Sequence, residues 1–258
     1  MSLRNVKEHS NMDLICLGSS SSGNCYILQN QNEALVIEAG VSLKDVKKAV
    51  NFNISKVVGC MVSHEHGDHA KYVKDFLKAR INVWMSEETL RNVKYDKSDF
   101  LPFFAESGSK IKIGGFTVLP FGVKHDAAEP LGFLIKHEEI GLLLFITDSF
   151  YVPYTFTGLT NIMIECNYRM DLLQEGIQSG RIPNKLRDRT LESHMSIDTC
   201  RKALLANDLS KVNNIILLHL SDGNSNAEEF KEDIRLATGK RVHIAEKGLN
   251  IKLNKHPF

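Results

Sequence analysis

Apolar positions along the chain fall in short runs whose spacing switches between a period of two and a period near 3.6. MDLICLGS alternates weakly and meets a Ser/Gly turn, SSSSGN. YILQNQNEALVIEAG then predicts two short strands around a polar QNQN turn, a β-hairpin opening. In SLKDVKKAVN, Leu43, Val46 and Val50 recur at helical spacing, with Ser42 placed to cap the first turn. Residues 56–62 form a nearly continuous apolar run, as in a buried strand, and lead into SHEHGDH. AKYVKDFLKAR predicts a helix with Val73, Phe76 and Leu77 on one face, and INVWM a strand. Residues 86–108 are the least regular stretch.

KIKIGGFTVLPF predicts a hairpin turning at Gly-Gly, and LGFLIKHEEIGLLLFITD a second hairpin. LTNIMIEC and NNIILLHLS predict strands, YRMDLLQEGIQ a helix, and SIDTCRKALLAND a helix opening at Ser196. Asn226 and Glu229 form a capping box ahead of EEFKEDIRLA, and RVHIAEKG and LNIKL close with short strands. Residues 1–11, polar and aperiodic, predict a flexible tail before a single domain over 12–258. Strands in hairpins mixed with helices in both halves make an α+β pattern. A helix–sheet–sheet–helix stack would bury both kinds of face, although periodicity alone leaves other α+β arrangements open.

Composition adds bounds to this picture. With 258 residues, 43% of them hydrophobic, the chain can bury a large core. Charge is balanced to a formal +1, so no global pull toward nucleic acid or membrane is expected, although a local basic patch stays open. Five cysteines, at 16, 25, 60, 166 and 200, include no C-x-x-C pair; the expectation is buried thiols in a reducing cytoplasm rather than a disulfide framework. The first residues lack the apolar stretch of a secretory signal, and the longest aliphatic runs, 142–146 and 215–218, are too short to cross a bilayer. Oligomeric state is not legible.

The chemistry concentrates in His64-Glu65-His66-Gly67-Asp68-His69, between an apolar strand and a helix. Four potential ligands lie within six residues, and imidazole with carboxylate suits borderline divalent metals such as zinc. Such crowding is poor material for a core, and Gly67 is expected to permit a backbone turn that splays the side chains toward two centres. This H-x-H-x-D-H resembles the signature of the metallo-β-lactamase superfamily. The resemblance implies a four-layer αββα sandwich and supplies further ligands in order: His125 in GVKHDAAEPLGF, Asp148 in LLLFITDS and His219 in IILLHLS. It implies that His64, His66 and His125 hold one ion, and that Asp68, His69 and His219 hold the other, with Asp148 shared. Glu38, in LVIEAG, stands where the family commonly has aspartate, and is expected to orient a metal-binding histidine. His9, His137, His243 and His256 lack such context and are expected at the surface or in packing.

Gly18-Ser19-Ser20-Ser21-Ser22-Gly23-Asn24 is similar to the opening of the YycJ/WalJ-type subgroup, which includes 5′-to-3′ DNA exonuclease-like proteins. Ser20, Ser21 and Asn24 become candidate substrate contacts. His194-Met195-Ser196 resembles the histidine-hydroxyl motif of phosphodiesterase members of the superfamily, with Ser193 and Met195 departing from the subgroup's G-H-L-S. His194 is then the candidate acid for the leaving oxygen, Glu165 the residue that orients it, and Asp68 the catalytic carboxylate. Arg181, Lys185, Arg187 and Arg189 cluster in an expected loop before His194, with Arg187 and Arg189 as candidate contacts to a nucleic-acid backbone.

The resemblance covers about Met12 to Leu253 and implies a two-metal hydrolase, zinc first and manganese second, acting on DNA before RNA. A hydrolase of a small ester, lactone, thioester or phosphodiester would keep the same ligands without needing His194. A non-catalytic binding or regulatory module would be expected to lose ligands, and none is missing. A flavin-partnered di-iron enzyme typically carries glutamate where this chain has His66.

Overall fold

The computed structural model describes residues 12–93, 95 and 100–256. The tail expected over 1–11 lies outside the described residues. The chain first lays down β1 (Asp13–Gly18), β2 (Cys25–Gln29), β3 (Ala34–Ile37), β4 (Val57–Met61), β5 (Val83–Met85) and β6 (Phe103–Phe104). It then forms β7 (Ile111–Ile113), β8 (Phe116–Gly122), β9 (Leu131–His137), β10 (Gly141–Ile146), β11 (Asn161–Glu165), β12 (Asn214–Leu218), β13 (Arg241–Ile244) and β14 (Asn250–Lys252). One sheet runs β14-β1-β2-β3-β4-β5-β6 and the other β13-β12-β11-β10-β9-β8-β7, so the last strand returns to the first sheet. The helices are α1 (Leu43–Ala49), α2 (Gly67–Ala70), α3 (Val73–Lys78), α4 (Glu87–Asn92), α5 (Met170–Gln178), α6 (Asn184–Ser193), α7 (Ile197–Leu205) and α8 (Ala227–Thr238).

Alternation along the strands makes the layers. Leu35 and Ile37 of β3 join Tyr26, Phe116, Phe133 and Phe145 in a core between the sheets, while Val36 turns outward to a second core with Val46 of α1 and Phe76 and Leu77 of α3. On the other side, Ile216 and Leu218 of β12 face the inter-sheet core, and Ile215 and Leu217 meet Cys200, Leu204, Phe230 and Ile234 of α7 and α8. Because both faces of these strands are covered, their sequences read as unbroken apolar runs. Each such buried side chain contributes about 1.5–3 kcal/mol. The result is the αββα sandwich of two mixed sheets flanked by helices.

The expected hairpins form, with Tyr26 opposite Ile37, Ile113 opposite Phe116 and Gly141 opposite His137. Ser42 accepts the backbone N–H of Asp45 and caps α1, Ser196 caps α7 at Thr199, and Asn226 accepts from the N–H of Glu229 at the start of α8. All five cysteines are buried and free. No helix among the described residues is long and apolar enough to cross a membrane.

Three local expectations need correction. The irregular stretch after residue 86 contains α4, capped by Ser86 on the N–H of Thr89; a serine followed by two glutamates already carried that signal. The segment before His194 is not a loop but helix α6. Gly67 sits in ordinary helical backbone, and a Cβ there would meet no heavy atom within 4 Å, so the splaying of the histidines does not depend on glycine.

Candidate metal centre and active site

Strand ends bring the site together. Strands β3 and β4 run parallel, as do β10, β11 and β12, so their carboxyl ends lie along shared edges. Glu38 follows β3, the His64–His69 segment follows β4, Glu165 ends β11, and His219 follows β12. Asp148 lies two residues beyond β10, and His125 follows β8 after a short link. Glu38, Asp148 and His219 all take left-handed backbone, with φ of 69°, 39° and 54°. Such conformations are uncommon outside glycine and are held here by the strands beneath them.

Within this edge, His66 Nδ1 lies 3.1 Å from both His64 Nε2 and His125 Nε2. Asp148 Oδ2 is 3.8 Å from His64 Nε2, 3.7 Å from His125 Nε2 and 3.3 Å from His69 Nε2. Asp68 Oδ2 is 3.3 Å from His69 Nε2 and 3.5 Å from His219 Nε2. Three groups able to hold a metal result, His64–His66–His125, Asp68–His69–Asp148–His219 and Asp148–Glu165–His194–His219. Asp148 lies between the first two.

The chemistry of the donor set fits divalent ions. His125 Nδ1 donates to the Ser193 carbonyl at 2.8 Å, so a neutral His125 carries its lone pair on Nε2, facing the other imidazoles and Asp148. His219 Nε2 is buried, without a hydrogen-bond partner among the described residues, while its Nδ1 lies 3.3 Å from Glu165 Oε1. Lone pairs converging on carboxylate oxygens repel unless a cation lies between them. Burial works to lower the His219 pKa, but Asp148, Asp68 and Glu165 together push it up to about 10. Burial likewise works to raise Asp148, and His219 and His69 overrule it and hold the carboxyl well below the usual range.

The carboxylates behind the ligands differ in their grip. Glu38 Oε2 accepts the N–H of Ser63 at 3.3 Å and stands 3.5 Å from His69 Nδ1, an ion-pair contact rather than a hydrogen bond. Glu165 is fully engaged. Its Oε2 accepts the backbone N–H groups of Ser149 and Met195 at 2.8 and 3.1 Å, and its Oε1 lies 2.7 Å from His194 Nδ1. Burial would lower the His194 pKa, yet Glu165 keeps it above the ordinary histidine value. The His194 ring is tilted against His219 and His125, at centroid distances of 5.3 and 5.6 Å.

The expected substrate contacts fare unevenly. Asn24 is fully buried; its side-chain amide donates to the Ser20 carbonyl at 3.1 Å and to Asp68 Oδ2 at 3.2 Å, so it builds the centre rather than meeting substrate. Ser21 is exposed and Ser20 half-buried, and the Ser20 and Ser22 hydroxyls share a hydrogen bond. Arg187 and Arg189 do not form one patch. Two helical positions apart, they point to different sides: Arg187 pairs with Asp188, and Arg189 reaches Asp126 at 3.1 Å, beside His125.

Other residues of the site escaped the sequence reading. Ser63 Oγ lies 2.8 Å from His64 Nδ1, Asn167 donates to the His219 carbonyl at 2.7 Å, and Ser19 Oγ accepts the His219 N–H at 2.9 Å. Ser63 and Asn167, polar residues just past buried strands, were the available signal. His137, expected in packing, is buried against Phe116 and lies 3.2 Å from Glu33.

The sandwich and the histidine-aspartate cluster at its edge define a metallo-β-lactamase-fold protein, and the superfamily's model matches residues 20–147. Over that stretch the sequence is similar to the metallo-β-lactamase superfamily, and the fold is that of metallo-β-lactamase-fold proteins. Among curated proteins it is similar to exodeoxyribonuclease YycJ of Bacillus anthracis, 29% identical over 252 residues, covering 91% of this chain and 90% of the relative. It is also similar to exodeoxyribonuclease WalJ of Streptococcus pneumoniae, 27% identical over 251 residues with the same coverage. The crystal structure of the metallo-β-lactamase fold protein YhfI from Bacillus subtilis superposes with a TM-score of 0.69 at 14% identity, covering 93% of this chain and 99% of the other.

Proposed function

We propose that this protein is a metal-dependent phosphodiesterase that degrades DNA as an exonuclease, using two divalent ions, zinc before manganese. The observation that carries this reading is the His194–Glu165 pair beside the cluster, because a hydrolase needing only its metal ligands has no use for a positioned acid. The names of the YycJ and WalJ relatives point the same way.

His64, His66 and His125 would hold one ion and Asp68, His69 and His219 the other, with Asp148 shared. Bound there, the ions supply an ionised water and positive charge against the phosphate oxygens. The protein's own groups do the rest. Glu165 accepts from His194 Nδ1 and so fixes that ring, leaving Nε2 to deliver a proton to the leaving oxygen. The same carboxylate accepts a hydrogen bond from His219 Nδ1, which keeps the His219 Nε2 lone pair for a metal. Asn24 steadies Asp68, and Glu38 faces His69 from behind.

The test incubates the purified chain with 5′-labelled duplex DNA, single-stranded DNA and RNA in zinc and in manganese, with Asp68→Ala as control. Stepwise shortening of DNA by the wild type alone is the expected result. Survival of every nucleic acid, while a small ester or phosphodiester is cleaved, would overturn the nuclease reading and leave the hydrolase one.

A further inference from the structure

Three exposed aromatic side chains stand directly beyond the shared aspartate. Phe150, Tyr151 and Tyr154 follow Asp148 in one short segment and are 41%, 54% and 46% exposed. Isolated exposed rings need no explanation, but three within six residues of a candidate metal ligand do. The segment is anchored rather than loose. Tyr151 forms an antiparallel bridge with Lys124, the Phe150 N–H donates to the Lys124 carbonyl at 3.0 Å, and Ser149 Oγ donates to the Tyr151 carbonyl at 2.9 Å while accepting the Lys124 N–H at 3.2 Å. Tyr154 leans edge-on against Phe121, centroids 5.9 Å apart, and Phe121 in turn packs on Phe156. Lys124 is exposed, enters no ion pair found among the described residues, and immediately precedes His125.

We infer that Phe150, Tyr151 and Tyr154, with Lys124, form a base-stacking platform that receives unpaired nucleotides of the strand being degraded. The inference rests on the phosphodiesterase reading and names the form of substrate that the site selects. The reasoning is one of chemistry and charge. An aromatic face without charge binds the π-face of any base, which suits an enzyme that must accept every sequence. The adjoining ammonium of Lys124 matches the phosphate that links such bases. The platform is continuous with both halves of the candidate centre, through Asp148 on one of the bridged segments and His125 on the other. Bases resting on it would leave their phosphates next to the ligands, and the anchoring hydrogen bonds mean little ordering cost on binding. A duplex end presents its bases paired and stacked on one another, so the platform favours a frayed or single-stranded end.

The test measures binding and cleavage separately on the full-length protein. Fluorescence anisotropy compares a labelled single-stranded oligothymidylate with an abasic oligomer of the same length and charge, in calcium to suppress turnover. The wild type should bind the base-bearing strand more tightly. Tyr151→Ala and Tyr154→Ala should each cut that preference about tenfold, and Tyr151→Phe should keep it. Lys124→Ala should weaken both oligomers alike. Equal binding of the two oligomers by the wild type, or an unchanged preference in both alanine variants, would overturn the platform. So would a change in oligomeric state in those variants without loss of base preference, since that would mark the rings as a protein contact. Cleavage is scored on its own: a wild type that discriminates bases yet degrades no DNA retains the platform and refutes the exonuclease.

Discussion

The group of His64, His66 and His125 is built from imidazoles alone, whereas the group of Asp68, His69, His219 and Asp148 contains two carboxylates and is backed by two more, Glu38 and Glu165. The first is held by light contacts, a serine hydroxyl on His64 and one backbone carbonyl on His125. The second sits deeper, with His69, Asp148, Glu38 and Glu165 all buried. The contrast teaches where charge is stored. Neutral imidazoles tolerate loss of a cation, while buried carboxylates do not, since each must then find a proton or an imidazolium partner. Asp148 couples the halves because one of its oxygens faces both.

The largest effect that would test this contrast is Asp148→Ala. Bound metal, measured by mass spectrometry, should fall from about two ions per chain to below one, with hydrolysis lost. Retention of one tightly held ion would break the coupling and make the imidazole group self-sufficient. Next comes His194→Ala, expected to slow turnover by about 10²–10⁴-fold with metal content unchanged. Because His194 also lies within reach of Asp148 and His219, loss of metal along with rate would make it a ligand and sink its role as the acid. Glu165→Gln should cost about 10–100-fold, and Glu38→Gln less, because the latter makes no hydrogen bond to its histidine. Equal losses would show that buried charge, rather than hydrogen bonding, is what these two residues supply. Smallest is Ser42→Ala, far from the chemistry, which should lower stability in urea by about 1 kcal/mol and leave cleavage intact.

Much of this was readable in advance, and the reason differs by residue. The H-x-H-x-D-H segment concentrates its chemistry within six positions, so no folding is needed to see it. Ser42, Ser196 and Asn226 act on backbone three residues away, which makes caps a local property. The αββα order of layers followed from the motif's resemblance, since alternating strands and helices alone fit several α+β folds. Asn24 was misjudged because a Ser/Gly-rich turn looks solvated until another segment, here Asp68, packs against it. Arg187 and Arg189 were read as one patch because a loop was assumed where the helix α6 sends them apart.

By itself, then, the amino-acid order determined the strands and helices with clear periodicity, their caps, the buried free thiols and the metal-binding character of residues 64–69. Those depend on neighbours within a few positions. Tertiary structure alone decided that Glu165 engages His194 at 2.7 Å, that Asp148 stands between the two groups, and that an aromatic segment borders them. These are meetings between strand ends many residues apart, and a distance across the edge of a sandwich is set by how whole sheets pack rather than by any local run of side chains.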